Sequence, residues 1–313
     1  PNPAWSLIGR ACCQGAGNSR NGWLPSPVGS EAVTLRTYME LLNFKANHRK
    51  TLVVDHGDSW AGVVTSANPH SASSAHDNVG LVFEGPAALD LLQTEAAVAA
   101  FSDARPDWPR PANTVAEGLP RMRILTEAAI REAVLDTLNT AQAGDELDLQ
   151  MFYLSHRGVT EALKRARERG ARIRVLLDPN KVAFGRKKGG VPNRPVAREL
   201  HEADIPVRWC DTHGEQCHSK MLLLRPEEGP ARIILGSANF TRRNLDNFNL
   251  ETNVEVRAES GSSLIQNASR SFQRQWHNEN GRHYSEPYPV YADESFWKYG
   301  LYRFTEATGL SSF

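Results

Sequence analysis

The sequence has no apolar run approaching the ~18 residues that a membrane-spanning helix needs. It also has no excess of charge. Lys plus Arg number 36 and Asp plus Glu number 36, a formal net charge of zero. That balance argues against a protein that coats nucleic acid by bulk electrostatics, and leaves room only for a local basic patch. Cysteine is scarce: Cys12, Cys13, Cys210 and Cys217. The adjacent Cys12 and Cys13 do not suit a disulfide framework, and the absence of any CxxC pair argues against structural zinc. Cys217, beside His218, reads as core packing, so cysteine usage leaves the compartment open. What is present is a 40% apolar share of 313 residues. That excludes a disordered or collagen-like chain, and at ~100–200 residues per domain it fits one large domain or two ordinary ones.

The first 45 or so residues are rich in Gly, Pro, Ser and Asn and carry little period. Short apolar runs at 51–54, 61–65 and 79–83 predict strands, and the Ala- and Leu-rich stretch 86–101 predicts a helix. Pro106, Pro109, Pro111 and Pro120 mark 103–120 as a linker. Beyond it the texture is regular. Ile130, Val134, Leu138 and Ala141 recur at helical spacing, Leu147, Leu149 and Met151 alternate, Val159 to Ala166 is helical again and Ile173, Val175 and Leu177 alternate. A helix at 195–203, strands near 206–209, 220–224, 232–236 and 252–256, and a helix at 264–276 follow. This alternation predicts an α/β domain with a mainly parallel or mixed sheet. The tail, 277–313, is aromatic and irregular in pattern and is expected to pack on the core.

One pattern occurs twice. The first copy is His48-Arg49-Lys50, Asp55 and Thr65-Ser66-Ala67-Asn68; the second is His218-Ser219-Lys220 and Gly236-Ser237-Ala238-Asn239. His and Asn are 20 residues apart in the first copy and 21 in the second. In both, an apolar strand follows Lys and another precedes Ser-Ala-Asn. Residues i and i+2 of a strand share a face, so each His lies with its Lys. A parallel neighbour would bring Ser and Asn to the same sheet end. Two such lobes about a pseudo-twofold would collect two His, two Lys and two Asn in one pocket. The lysines and amides suit the non-bridging oxygens of a phosphodiester. One neutral His can attack phosphorus while the other, protonated, supplies a proton to the leaving oxygen. No cluster of carboxylates for a metal is required, since the lysines supply the charge.

The duplicated pattern resembles the phospholipase D superfamily, whose signature is a duplicated HxKxxxxD followed by a Gly/Ser-rich stretch with Asn. The first copy fits as His48, Lys50 and Asp55; the second departs, with Arg225 at the Asp position. The resemblance spans about residues 40–280. It implies two pseudo-symmetric α/β/α lobes with mixed sheets, taken here as 1–118 and 119–313, and a structural role for Asp55. If the lobes are true repeats, His218 lies much deeper in its lobe than His48 does, and roughly 50 residues of the first lobe are expected to be missing from it. The resemblance further implies a phosphohistidine intermediate, metal-independent chemistry without a cofactor, His48 as nucleophile and His218 as general acid and base. The residues themselves leave those two roles interchangeable. Glu251 stands where an acidic residue orients a catalytic His, and Asp77 is the nearest counterpart in the first copy. Lys50, Lys220, Asn68, Asn239 and Glu251 join the histidines as catalytic candidates, and Ser66, Ser237, Asp77 and Glu215 as substrate-binding ones.

The implied substrate is a glycerophospholipid, hydrolysed or transferred to an alcohol by an enzyme peripheral to a bacterial membrane. The rivals are a nuclease of the same superfamily, weakened by the neutral charge, and a non-catalytic phospholipid-binding module. Three further features stand out: the loop histidines His56, His70 and His76 read mostly as solvated; Asp178-Pro179-Asn180 ends a strand, as binding loops of α/β sheets do; and the basic tip Arg186-Lys187-Lys188 reads as a solvated loop or as a contact for anionic head groups or a nucleic-acid backbone.

Overall fold

The computed structural model describes residues 32, 46–109, 118–183, 186–187 and 189–309. The linker expected at 103–120 is irregular where it is described, and 110–117 lie outside the described residues. So do nearly all of residues 1–47, on which the expectation of an incomplete first lobe rests.

The first lobe holds strands β1 (Thr51–His56), β2 (Ser59–Thr65) and β3 (Gly80–Glu84), followed by helix α1 (Pro86–Ala99). The strands form an antiparallel sheet in the order β1-β2-β3. The second lobe begins with β4 (Arg121–Thr126), α2 (Ala128–Thr140), β5 (Glu146–Met151), α3 (Arg157–Glu168) and β6 (Arg172–Leu177). A two-strand excursion, β7 (Val182–Ala183) and β8 (Arg186–Lys187), covers part of the basic tip. The chain continues through α4 (Asn193–Glu202), β9 (Val207–Cys210), β10 (Lys220–Arg225), β11 (Ala231–Gly236), the short α5 (Arg242–Leu245), β12 (Thr252–Ala258), α6 (Ser263–His277), β13 (Ser285–Pro287) and α7 (Phe296–Thr308). Eight of the second lobe's strands, all but β7 and β8, form one mixed sheet, ordered β13-β9-β6-β5-β10-β11-β12-β4. Strands β5, β6 and β9 run parallel, and the other pairs are antiparallel.

The alternation visible in the sequence sorts side chains between the two sheet faces. Leu147, Leu149, Leu222, Leu224 and Ile234 join α2, α3 and α4 in one buried cluster. Met221, Leu223, Ile233, Leu235, Val254 and Val256 face the other way and pack with Ile265 and Phe272 of α6 and with Val64 and Leu91 of the first lobe. The first lobe and α6 therefore share one face of the large sheet, and this seam positions the two motifs.

The tail packs on the core as expected, but it is not irregular. It adds β13 to the edge of the sheet beside β9 and forms α7, anchored by fully buried Tyr302 and by Glu306. The inward stripe of α7 includes a carboxylate while Phe296, Trp297 and Phe304 point outward, which is the reverse of the pattern that signals an amphipathic helix. Cys217 packs in the buried cluster as expected, and its sulfur is also joined to that of Cys210 in a disulfide that the sequence pattern did not signal. No helix among the described residues is long and apolar enough to cross a membrane.

Candidate functional site

Each motif sits on a hairpin. His48 lies just before β1 and Ser66 follows β2; His218 precedes β10 and Ser237 follows β11. Both hairpins are antiparallel, not the parallel pair anticipated. The consequence for the site is the same, because the start of one strand and the end of its antiparallel neighbour share a sheet end.

The two hairpins meet by exchanging short parallel bridges. Asn47 bridges Leu250, and Cys217 bridges Asp77. His48 N donates to Leu250 O at 2.9 Å, and His218 N donates to Asp77 O at 2.8 Å. The residue after each bridge partner then faces the other lobe's histidine. His48 Nδ1 lies 2.9 Å from Glu251 Oε1, and His218 Nδ1 lies 3.1 Å from Asn78 Oδ1. The counterpart of Glu251 is thus Asn78, one residue beyond the expected Asp77. The Asp77 carboxylate turns away from His218 and accepts from Gln150 Nε2 at 2.7 Å.

The serines repeat this symmetry. Ser66 Oγ donates to Asn78 Oδ1 and accepts from Val79 N at 3.0 Å. Ser237 Oγ donates to Glu251 and accepts from Thr252 N at 3.0 Å. Both are fully buried. Their expected place at the substrate is therefore corrected: they fix the groups that orient the histidines, and each hydroxyl's one proton is spent on that task, leaving none for a phosphate oxygen. Glu215 accepts from His213 N within its own loop at 3.1 Å and lines a neighbouring polar cavity of about 400 Å³. Asp55 is exposed on β1, remote from the histidines. Arg225, at the matching position, pairs instead with Glu146 and Asp148. Its substitution for Asp is absorbed by β5 and does not reach the site.

Lys50 Nζ donates to His48 O at 2.7 Å and Lys220 Nζ to His218 O at 2.6 Å. Both ammonium groups are buried. Burial pushes Lys50 down to about 8, against the attraction of Glu251. Burial and the charge of Lys50 hold Lys220 well below the usual range. His218 is held far below an ordinary imidazole by burial first, then by the positive charges of Lys220 and Lys50. Burial alone would raise Glu251, but His48, Ser237 and Asn244 hold it below the usual carboxylate range. The site is thus a buried, cation-rich cradle with one carboxylate, suited to an anion.

Asn239 is buried, and its carboxamide oxygen as placed has no hydrogen-bond partner. The two ends of a carboxamide are assigned and not observed, so the group can present N–H to a ligand. Asn68 is half-buried, held through its backbone N–H by Ser73 Oγ at 3.0 Å.

Three residues that sequence reasoning did not assign to the site belong to it or support it. Phe152 lies with its ring 4.9 Å from that of His218 and under the Lys220 ammonium at 5.0 Å, a cation–π contact. Asn78 orients His218. Asp178, which reads as a loop residue in the sequence, is buried and accepts from Cys217 N at 2.9 Å, so it holds the segment leading into His218. Burial raises it to about 6. Of the loop histidines, His76 stands 5.9 Å from His218 ring to ring, His56 pairs with Glu84 and His70 is exposed.

Residues 134–276 match the family model described as the phospholipase D-like domain of cardiolipin synthase. No curated protein matches the chain. Among solved structures, the chain is similar to the phospholipase D family member Nuc from Salmonella typhimurium, at 18% identity, covering 50% of this chain and 95% of that one with a TM-score of 0.40. It is also similar to phosphatidylserine synthase from Haemophilus influenzae, at 10% identity, covering 79% of this chain and 67% of that one with a TM-score of 0.52. Residues 134–276 thus match a phospholipase D-like domain, and the likeness to phosphatidylserine synthase is one of fold.

Proposed function

We propose that the chain is a phosphodiesterase or phosphatidyltransferase acting on glycerophospholipids at a membrane surface. The reading is carried by one observation: two His–Lys pairs from separate lobes converge, each histidine held at Nδ1 by a residue of the other lobe. In the reaction, a histidine nitrogen attacks phosphorus and the phosphorus–oxygen bond to the leaving alcohol breaks. The second histidine supplies the proton that the leaving oxygen takes. Water or an alcohol then attacks the phosphohistidine, giving its proton to the second histidine, and the phosphorus–nitrogen bond breaks. Lys50 and Lys220 neutralise the non-bridging oxygens, with Asn68 and Asn239 as amide donors.

The surroundings of the histidines favour the reverse of the roles that the family resemblance implies. A general acid must carry its proton before the reaction starts. His218 is buried beside two ammonium groups and faces a neutral amide, so it is held neutral and acts as nucleophile through Nε2. That leaves His48, oriented through Nδ1 by Glu251, as the acid and then the base.

Phe296 and Trp297 are 82% and 70% exposed on α7, and Phe304 of the same helix is exposed beside them. These aromatics, with Lys298 and Arg303 on the same helix, suit the interfacial region of a bilayer. The Cys210–Cys217 disulfide favours an oxidising compartment.

The test is turnover of phosphatidylglycerol vesicles, with and without added glycerol, against bis-p-nitrophenyl phosphate and single-stranded DNA, all in EDTA. His48→Ala and His218→Ala are run alongside. Lipid turnover that survives EDTA and is lost in both variants supports the reading, and a transfer product identifies a synthase. Turnover of DNA alone makes the protein a nuclease; turnover of nothing makes it a binding module.

A further inference from the structure

We propose a divalent-cation site, of zinc type, formed by Asp211, His283 and Glu286 with His213 as fourth ligand, at the rim of the polar cavity that reaches His76 and Asp77 beside the second motif. It goes beyond the activity proposed above and does not depend on it.

The site is assembled by an edge of the large sheet. β13 pairs antiparallel with β9, placing Ser285 opposite Cys210 and Glu286 opposite Trp209. Asp211 N donates to Tyr284 O at 2.8 Å and extends that pairing by one step. The carboxylate of Asp211 and the ring of His283 are thereby held side by side, with His283 Nδ1 3.1 Å from Asp211 Oδ2. His283 Nε2 lies 3.8 Å from Glu286 Oε2, and His213 Nε2 lies 3.6 Å from Asp211 Oδ2. One donor atom from each of Asp211, His283 and Glu286 falls within 4.8 Å of the others. Ligands on a tetrahedron with arms of ~2.0–2.1 Å are ~3.3 Å apart. One nitrogen of His283 can serve a single ion, so the three convergent donors must draw in from within 4.8 Å, and exposed His213, outside that group, must swing in from Asp211 to complete the tetrahedron.

The donor chemistry selects the cation. Two imidazoles and two carboxylates suit zinc or a similar first-row ion, whereas calcium and magnesium require oxygen ligands. The nearby arginines are engaged elsewhere. Arg208 donates to Ser285 Oγ and O, and Arg274 lies over the Tyr284 ring at 5.6 Å. Neither carboxylate of the cluster lies within salt-bridge distance of Lys or Arg among the described residues, Arg208 acting on Glu286 only at longer range, so both oxygens remain open to a cation. Asp211 and His213 lie in the loop that the disulfide closes, and that loop leads directly into His218. A bound ion would tie this loop to β13 without touching the reacting groups.

The experiment strips the full chain with EDTA, then titrates it with zinc chloride by calorimetry and with cobalt(II) by visible absorption. The wild type should take up an equimolar amount of zinc, give the d–d bands of a tetrahedral cobalt site, and melt at higher temperature with zinc. Asp211→Asn and His283→Gln should lose all three responses, with Glu286→Gln as a further variant should either unfold. All three side chains are outside the hydrophobic clusters, so the zinc-free melting temperatures should match the wild type. Absence of zinc uptake by the wild type, or uptake unchanged in the variants, overturns the proposal.

Discussion

Lys50 links function to stability through a sign that can be measured. Burial lowers its pKa from 10.5 to about 8. At neutral pH the ammonium is charged in both folded and unfolded chains, but the folded protein holds it at a cost. A difference of about 2.5 units at 1.36 kcal/mol each is roughly 3 kcal/mol of destabilisation. Because the unfolded chain binds more protons above pH 8, that cost shrinks as pH rises from about 8 towards 10.5. Between pH 7 and 9.5 about 2 kcal/mol of it is relieved. Urea unfolding of wild type and Lys50→Met at the two pH values measures this. The variant lacks the titration, so the wild type should gain about 2 kcal/mol on it across the interval, whatever the loss of the bond to His48 O costs at either pH. The same deprotonation removes charge from the phosphate cradle, so wild-type kcat/KM should fall about tenfold per pH unit above about 8. Unfolding free energies that differ by the same amount at both pH values refute the argument, as does a rate that stays flat to pH 10.

Three further outcomes follow from the same geometry. Asn78→Ala should lower kcat/KM by about 10–100-fold by freeing the His218 ring, and Asn78→Asp, which keeps an acceptor at Nδ1 but sets a carboxylate against a histidine that must stay neutral, should recover activity only at higher pH; a pH profile identical to the wild type's would contradict this. Cys210→Ser with Cys217→Ser should cost about 2 kcal/mol in denaturant unfolding, from a bridge spanning a sequence separation of 7; an unchanged midpoint contradicts this. Phe296→Ser and Trp297→Ser should each weaken sedimentation with lipid vesicles about tenfold, with hydrolysis of a soluble diester unchanged; undiminished vesicle binding removes α7 from the membrane contact.

The repeat was legible because its parts are close in sequence: His and Lys two apart, then an apolar strand, a turn and another strand before Ser-Ala-Asn. Glu251 was legible by position. Asn78 was not, because its role depends on the bridge between Asp77 and Cys217, which is a matter of register between distant segments. A slip of one residue turns a strand's side chains to the other face, and here it separates Asp77 from Asn78. Ser66 and Ser237 lie beside the catalytic candidates in sequence, and only the fold reveals that their hydroxyls point into the scaffold. The disulfide was hidden because Cys210 and Cys217 fit no spacing motif; the end of β9 and the segment before β10 bring them together. Helix α7 was obscured by its outward aromatics and by the carboxylate of Glu306 on its inner face.

The central claim is that His218 forms the covalent intermediate while His48 manages the proton. A diester with a p-nitrophenyl leaving group needs no general acid, so His48→Asn should still form the intermediate but lack the base that clears it. Reacting that variant with such a substrate, quenching in alkali and mapping the phosphorylated peptide by mass spectrometry reads the nucleophile directly. The account predicts an adduct on His218, with none on that residue in His218→Asn. An adduct on His48 of the wild type, or turnover of the activated substrate by His218→Asn, would contradict it.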